Sequence, residues 1–317
     1  MNAAPGRQER SRAADRWIGR VIASRYQLVE RLGAGTGGRV YRATALDDGR
    51  DVALKIVESQ ADPDDGGAAF MGRGAASMRL DHPGIPRVID FGSDEDGVRY
   101  LVMERVEGQA LDSVLRDKKR FDAPSTVEIA LQLAGAMRHV HAAGLVHRDL
   151  KPANVLLSRA PDGAPRVTLL DFGIASAPGS GGAGGMQGSP AYAAPGQASG
   201  DAADPRDDVY SLGVIVYELA TGRPPFEGGS PIGVVLRHLH EDPKPPRMVI
   251  GTIPPRLEAA IMRSLAKDRS ARFQSMEDWI AALESIRDEL AKEEPPDRTV
   301  AEWMNDAWSR FARLVGF

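Results

Sequence analysis

Cysteine is absent from the chain, which excludes disulfides, thiolate metal sites and cysteine nucleophiles and is compatible with a reducing cytoplasm. No apolar run approaches the ~20 residues that a membrane-spanning helix needs. The opening M-N-A-A-P-G-R-Q-E-R is too polar for a signal peptide, so a soluble or peripheral protein is expected. A large basic field is also missing: the formal charge is -4, with acids and bases mixed along the chain, which argues against nucleic acid as the primary partner. No internal repeat is present. What remains is a chain of 317 residues, 42% hydrophobic, enough for two ordinary domains or one two-lobed domain with tails.

The most informative stretch is residues 147–173. It reads H-R-D-L-K-P-A-N-V-L-L, then a polar turn at 158–165, then R-V-T-L-L-D-F-G. The apolar runs 155–157 and 167–170 are bounded by turn residues and predict a strand pair. Asp149 and Asn154 precede the first run and Asp171 follows the second. A hairpin brings these three oxygen-bearing side chains to one edge, an arrangement that suits hard cations and phosphate.

Upstream, residues 1–23 are rich in Arg, Ala and Gly and read as a mobile arm, with a short cap containing Trp17 and Ile18 as the alternative. From Tyr26 the text becomes Y-Q-L-V-E-R-L, G-A-G-T-G-G, R-V-Y-R-A-T-A. Both flanks alternate like strands, so the glycines close a hairpin instead of opening a helix as they do in dinucleotide-binding folds. D-V-A-L-K-I-V then sets Lys55 among apolar residues, where a charge calls for an anion such as a nucleotide phosphate. Residues 61–80 hold a poor helix, because Gly72 and Gly74 each cost about 1 kcal/mol against Ala. Two more strands complete a small first lobe of five strands and one helix. Beyond Leu111 helices dominate, at 126–143, 208–221, 232–240, 255–266 and 276–292.

Taken together, H-R-D-x-K-x-x-N followed by D-F-G, the glycine hairpin and Lys55 resemble the eukaryotic-type (Hanks-type) serine/threonine protein kinases. The resemblance runs from about Tyr26 to Glu289. It implies an α+β, two-lobed kinase-like fold: a small antiparallel sheet lobe with one helix at 24–107, and a larger, mainly helical lobe at 108–292. It also implies ATP with Mg²⁺, Mn²⁺ being able to substitute, and protein substrates. By the resemblance Asp149, Lys151 and Lys55 are catalytic, and Asn154 and Asp171 hold the metal. Gly33, Gly35 and Gly38 approach the phosphates, which Lys55 grips. Leu32, Val40, Ala53 and Leu156 enclose the adenine, and Met103, Glu104 and Val106 form the gatekeeper and hinge. Lys151 followed by Pro152, with G-S-P-A-Y from Gly188, is the serine/threonine pattern. Asp208 and His147 are expected to brace the catalytic loop and not to react.

Two departures from the family pattern stand out. Where a helix glutamate should pair with Lys55 the chain has Arg73, and A-P-G at 194–196 replaces A-P-E. The expected partner of the missing second glutamate is Arg272, which must then find another anion or reach water. The activation segment 174–188 is mostly Gly, Ala and Ser without Thr. Arg148 before Asp149 suggests that it responds to phosphate, with Ser180 as acceptor, while Ser189 is read as part of the substrate platform. A weakly active or pseudokinase signalling module is therefore the alternative function. A small-molecule phosphotransferase of similar fold is disfavoured by the platform segment.

Residues 293–317 read as a linker and a C-terminal amphipathic helix with Val300, Trp303, Met304, Ala307, Trp308, Phe311, Leu314 and Val315 on one stripe. It could dock on its own domain, on a second copy, on a membrane surface or on a partner. The expected location is cytoplasmic, with peripheral membrane contact only through 299–315 and self-association left open.

Overall fold

The computed structural model describes residues 15–35, 37–57, 66–159, 165–171 and 188–292. The chain divides into two compact units, Met1–Gly74 with Val88–Arg105, and Ala75–Arg87 with Val106–Phe317.

The first unit is built on a six-stranded antiparallel sheet of order β1-β2-β3-β4-β6-β5. Its strands are β1 (Val21–Ile22), β2 (Tyr26–Gly35), β3 (Gly38–Ala45), β4 (Asp51–Val57), β5 (Val88–Ser93) and β6 (Arg99–Glu104). Period-two alternation gives the sheet two different faces. Tyr41, Leu54, Ile56 and Val102 bury on one face together with Trp17, Ile22, Tyr26 and Leu28. Ala53, Val88, Leu101 and Met103 bury on the other, with Val40 and Phe91 against them. The mobile-arm expectation fails for residues 15–22. Trp17 and Ile22 are buried in the first of these cores, and the Asp15 carboxylate accepts the Tyr41 hydroxyl at 3.0 Å. The cap is the correct reading there, and the strand it contributes makes six where five were expected.

Helix α1 (Gly66–Ser77) forms despite its glycines. Gly74 has a packing reason: a Cβ there would lie 2.2 Å from the Phe91 ring, which the bare backbone admits. The two units also divide the chain differently from the expected 24–107 and 108–292. Residues 75–87 belong with the second unit because Leu80 and Ile85 join its core and the Leu169 N–H donates to the Gly84 carbonyl at 2.8 Å.

The second unit begins with β7 (Gln109–Ala110), which pairs with the hairpin of β8 (Val155–Arg159) and β9 (Pro165–Leu169). Its helices are α2 (Leu111–Lys118), α3 (Ala123–Ala142), α4 (Pro195–Ala198), α5 (Pro205–Thr221), α6 (Pro231–His240), α7 (Pro255–Ser264) and α8 (Met276–Lys292). α3 starts at Asp122, whose side chain accepts the Ser125 N–H, one of the first-turn donors a helix leaves unpaired. α5 is apolar on nearly every side because it is buried on nearly every side. It stops at Gly222, which takes the left-handed conformation (φ +85°) that ends helices. Among the described residues no helix is long and apolar enough to cross a membrane. The C-terminal stripe at 299–315 lies outside the described residues.

Candidate active site

The catalytic candidates of the second unit meet in the loop before β8. Val155 pairs with Leu169 and the Leu170 N–H donates to the Asn154 carbonyl at 2.7 Å, so the hairpin sets Asp171 across from Asn154. Asp149 is 5% exposed, and its carboxylate is held from three directions. Lys151 Nζ lies 2.7 Å from Oδ2, the Ser189 hydroxyl donates to Oδ1 at 3.3 Å, and Asn154 Nδ2 donates to Oδ2 at 3.2 Å. The Asn154 amide also donates to the Asp149 carbonyl at 2.9 Å, which commits its nitrogen and leaves its Oδ1 for a cation. Lys151 Nζ reaches Ser189 Oγ at 3.0 Å as well, tying Ser189 to the loop.

Two residues here hold left-handed backbone without being glycine: Arg148 (φ +65°) and Asp171 (φ +66°). Such conformations cost about 1–3 kcal/mol and persist where the surroundings impose them. At Arg148 the surroundings are explicit. Asp208, completely buried, accepts the N–H groups of His147 and Arg148 at 2.8 and 2.9 Å and meets His141 Nε2 at 2.8 Å. Burial works against its charged form, yet the hydrogen bond and charge of His141 and the backbone N–H groups hold its carboxyl below the usual range. His147 is a bracing residue: its Nδ1 accepts the Asp149 N–H at 3.2 Å, which leaves Nε2–H to donate to the Leu170 carbonyl. Arg148 Nε is buried with no hydrogen-bond partner among the described residues, a donor left for an anion.

In the first unit, Gly33 pairs with Val40 and Gly35 with Gly38, so the glycines close a hairpin between two strands. Leu32 is 48% exposed on it. Lys55 is 1% exposed on β4, registered against Val40 on one side and Leu101 on the other, while Ala53 faces Met103 in the next pair. Glu104 ends β6. Val106 and Leu156 belong to the second unit, where Leu156 pairs with Ala110 and Thr168. Phe172 and Gly173 lie outside the described residues. Arg73 is half-buried on α1, and burial with the nearby charge of Arg99 pushes its pKa down.

The missing glutamate at Gly196 has a visible replacement. Arg272, whose side chain is fully buried, pairs with Asp207 at 3.1 Å and donates to the carbonyls of Ala266, Arg206 and Lys267. Arg269 clasps the same carboxylate through Nε at 3.0 Å and Nη2 at 2.7 Å. A Cβ at Gly196 would lie 1.8 Å from that Nη2, so the small residue makes room for the second arginine. Asp207, Arg269 and Gln197 escaped the sequence reading. The signal for Asp207 was two consecutive acids in the first turn of α5.

Among the described residues no group of three or more His, Asp or Glu side chains is placed to hold a metal. The oxygen-bearing side chains at this edge are Asn154 and Asp171, two candidate donors. That fits Mg²⁺, which keeps waters and substrate phosphates in its shell.

Comparison with known proteins agrees with this geometry. The protein kinase domain family matches residues 26–301. The chain is 36% identical over 297 residues to the serine/threonine-protein kinase pkn3 of Myxococcus xanthus, covering 90% of this chain and 54% of that one. It is 34% identical to PknB of Mycobacterium tuberculosis, covering 89% and 46%. It thus spans about half the length of these relatives. Among solved structures the PknI kinase domain of Mycobacterium tuberculosis superposes with a TM-score of 0.67 at 29% identity, covering 84% of this chain and 98% of that one. With the loop, the hairpin and Asp208 in these places, the chain belongs to the protein kinase domain family, in its eukaryotic-type (Hanks-type) serine/threonine branch.

Proposed function

We propose that the chain transfers the γ-phosphoryl group of ATP to Ser or Thr hydroxyls of proteins, its own or a partner's. The observation that carries this reading is the Asp149 carboxylate, buried, oriented by Asn154 and Ser189, and paired with Lys151. Phosphoryl transfer asks little covalent chemistry of the protein and much positioning and charge neutralisation. Asp149 orients the acceptor hydroxyl and takes its proton as the oxygen attacks phosphorus. Lys151, within reach of both Asp149 and Ser189, balances charge on the moving phosphoryl group. Lys55 holds the α- and β-phosphates, and the backbone at Gly33, Gly35 and Gly38 approaches them without intervening Cβ atoms. Asn154 and Asp171 hold Mg²⁺, which when bound neutralises phosphate charge. Leu32, Val40, Ala53 and Leu156 enclose the adenine, and Met103, Glu104 and Val106 serve its edge. The free Arg148 donor suits a phosphate on the activation segment, with Ser180 first among the acceptors.

The finer assignments are a cytoplasmic location and a C-terminal segment, 299–315, that docks on its own domain or on a second copy. Liposome co-sedimentation of the full chain tests the membrane alternative: a pelleted chain would overturn this assignment.

Radiolabelled ATP with and without a generic protein substrate tests the activity. The expected result is incorporation that falls by about 10²–10⁴-fold in Asp149→Asn, with phosphopeptides mapping to Ser180. Nucleotide binding without incorporation above the Asp149→Asn background would replace the enzyme reading with a binding module.

A further inference from the structure

The carbonyl of Arg148 belongs to the peptide plane that leads into Asp149, and the position of the Asp149 side chain follows from how that plane is turned. Asp208 fixes the N–H groups of His147 and Arg148, which lie in the two preceding planes. The plane between Arg148 and Asp149 is held at both of its polar groups: the Asp149 N–H donates to His147 Nδ1 at 3.2 Å, and the carbonyl has an anchor outside the loop. Gln197 Nε2 donates to the Arg148 carbonyl at 2.7 Å. At its other end Gln197 Oε1 accepts the Ala194 N–H at 3.2 Å. An N–H can only donate and a carbonyl can only accept, so these partners fix which way the amide faces. Gln197 is 2% exposed, so its amide is shielded from bulk solvent. On its far side the same carbonyl is closed in by Gly188, where a Cβ would lie 2.7 Å from the oxygen.

We propose that Gln197 is a positioning residue for phosphoryl transfer, acting through the Arg148 carbonyl to set the peptide plane, and hence the carboxylate, of Asp149. The inference rests on the kinase reading and deepens it. It also gives the A-P-G-Q turn a role of its own. With glycine at 196 the turn offers no carboxylate to Arg272, and its direct hold on the catalytic loop passes through the neighbouring amide. An amide suits the task because it presents one donor and one acceptor at every ordinary pH. A carboxylate of the same shape presents only acceptors, one of them facing the Arg148 oxygen. Its protonated form regains a donor.

The test uses the full chain with Gln197→Leu and Gln197→Glu, measured as rates relative to wild type at each pH. Both variants should lose about 10–100-fold in kcat at pH 7.5, the scale of a displaced catalytic group, with the KM for ATP changed less than about threefold. As pH falls toward 5.5, Gln197→Glu should recover relative to wild type and Gln197→Leu should not. A purely structural residue would give parallel profiles. Amide hydrogen exchange needs no turnover: at pH 7.5 residues 146–151 should exchange faster in both variants, with α5 unchanged. Parallel pH profiles with unaltered loop exchange would overturn the proposal. If wild type itself transfers no phosphate, the kinase reading falls and the exchange measurement alone decides whether Gln197 holds the loop.

Discussion

One carboxylate, that of Asp207, serves two arginines, and one of them, Arg272, has no access to solvent. Removing the charge from one side of such a buried pair typically costs about 3–5 kcal/mol, because the partner is left uncompensated. Asp207→Asn is therefore expected to lower stability by that amount in denaturant unfolding, more than Gly196→Ala, which only displaces the clasp of Arg269. The reverse order would mean that Arg272 is held by its three carbonyl partners alone. That Asp149, Lys151 and Asn154 meet was readable from sequence because they fall within one short loop of the residue types that phosphoryl transfer would need. Asp207 was not, since an acid in the first turn of a helix can serve as a dipole partner or as an anchor. Which it becomes depends on an arginine 62 residues away.

At the scale of elements, strand pairs and long helices were legible wherever one period dominated, and α8 runs over the 17 residues its stripe predicted. The failures share a cause. Residues 15–22 have too few apolar side chains to announce an element, and they order only because the sheet face behind Trp17 accepts them. α1 looked weak by propensity, yet Gly74 is the residue that lets Phe91 close against it. Arg73 remains the odd residue of that helix, since its nearby charge is Arg99. Arg73→Glu turns that repulsion into an attraction and should gain about 0.5–1 kcal/mol at a partly exposed site, read as a higher Tm. An unchanged Tm in 0.1 M salt would show that solvent already screens the pair.

At the scale of the whole molecule, one described group that makes stability sensitive to acid is His238, which joins α5 and α6 to the backbone at Ala191. Its Nδ1 meets the Tyr210 hydroxyl at 2.8 Å and its Nε2 meets the Ala191 carbonyl at 3.0 Å. Burial pushes its pKa down to about 4; the bond to Ala191 opposes this and the charge of Lys267 adds to it. The unfolded chain takes up this proton near pH 6.5 while the folded one refuses it until about pH 4. Stability from this residue is therefore full above pH 6.5 and is lost as pH falls, by about 3 kcal/mol at about 1.4 kcal/mol per pH unit. His238→Gln should flatten the decline of Tm between pH 6.5 and 4, and an unaltered slope would assign the acid sensitivity to other groups. A last consequence follows from the adjacency of Asp207 and Asp208. Consecutive residues of a helix point about 100° apart. The first of these two grips the arginines and the second grips the catalytic loop, so α5 satisfies both only in one rotational setting. The helix works as a keyed shaft: a twist of one residue would disengage the loop and the arginines in the same movement.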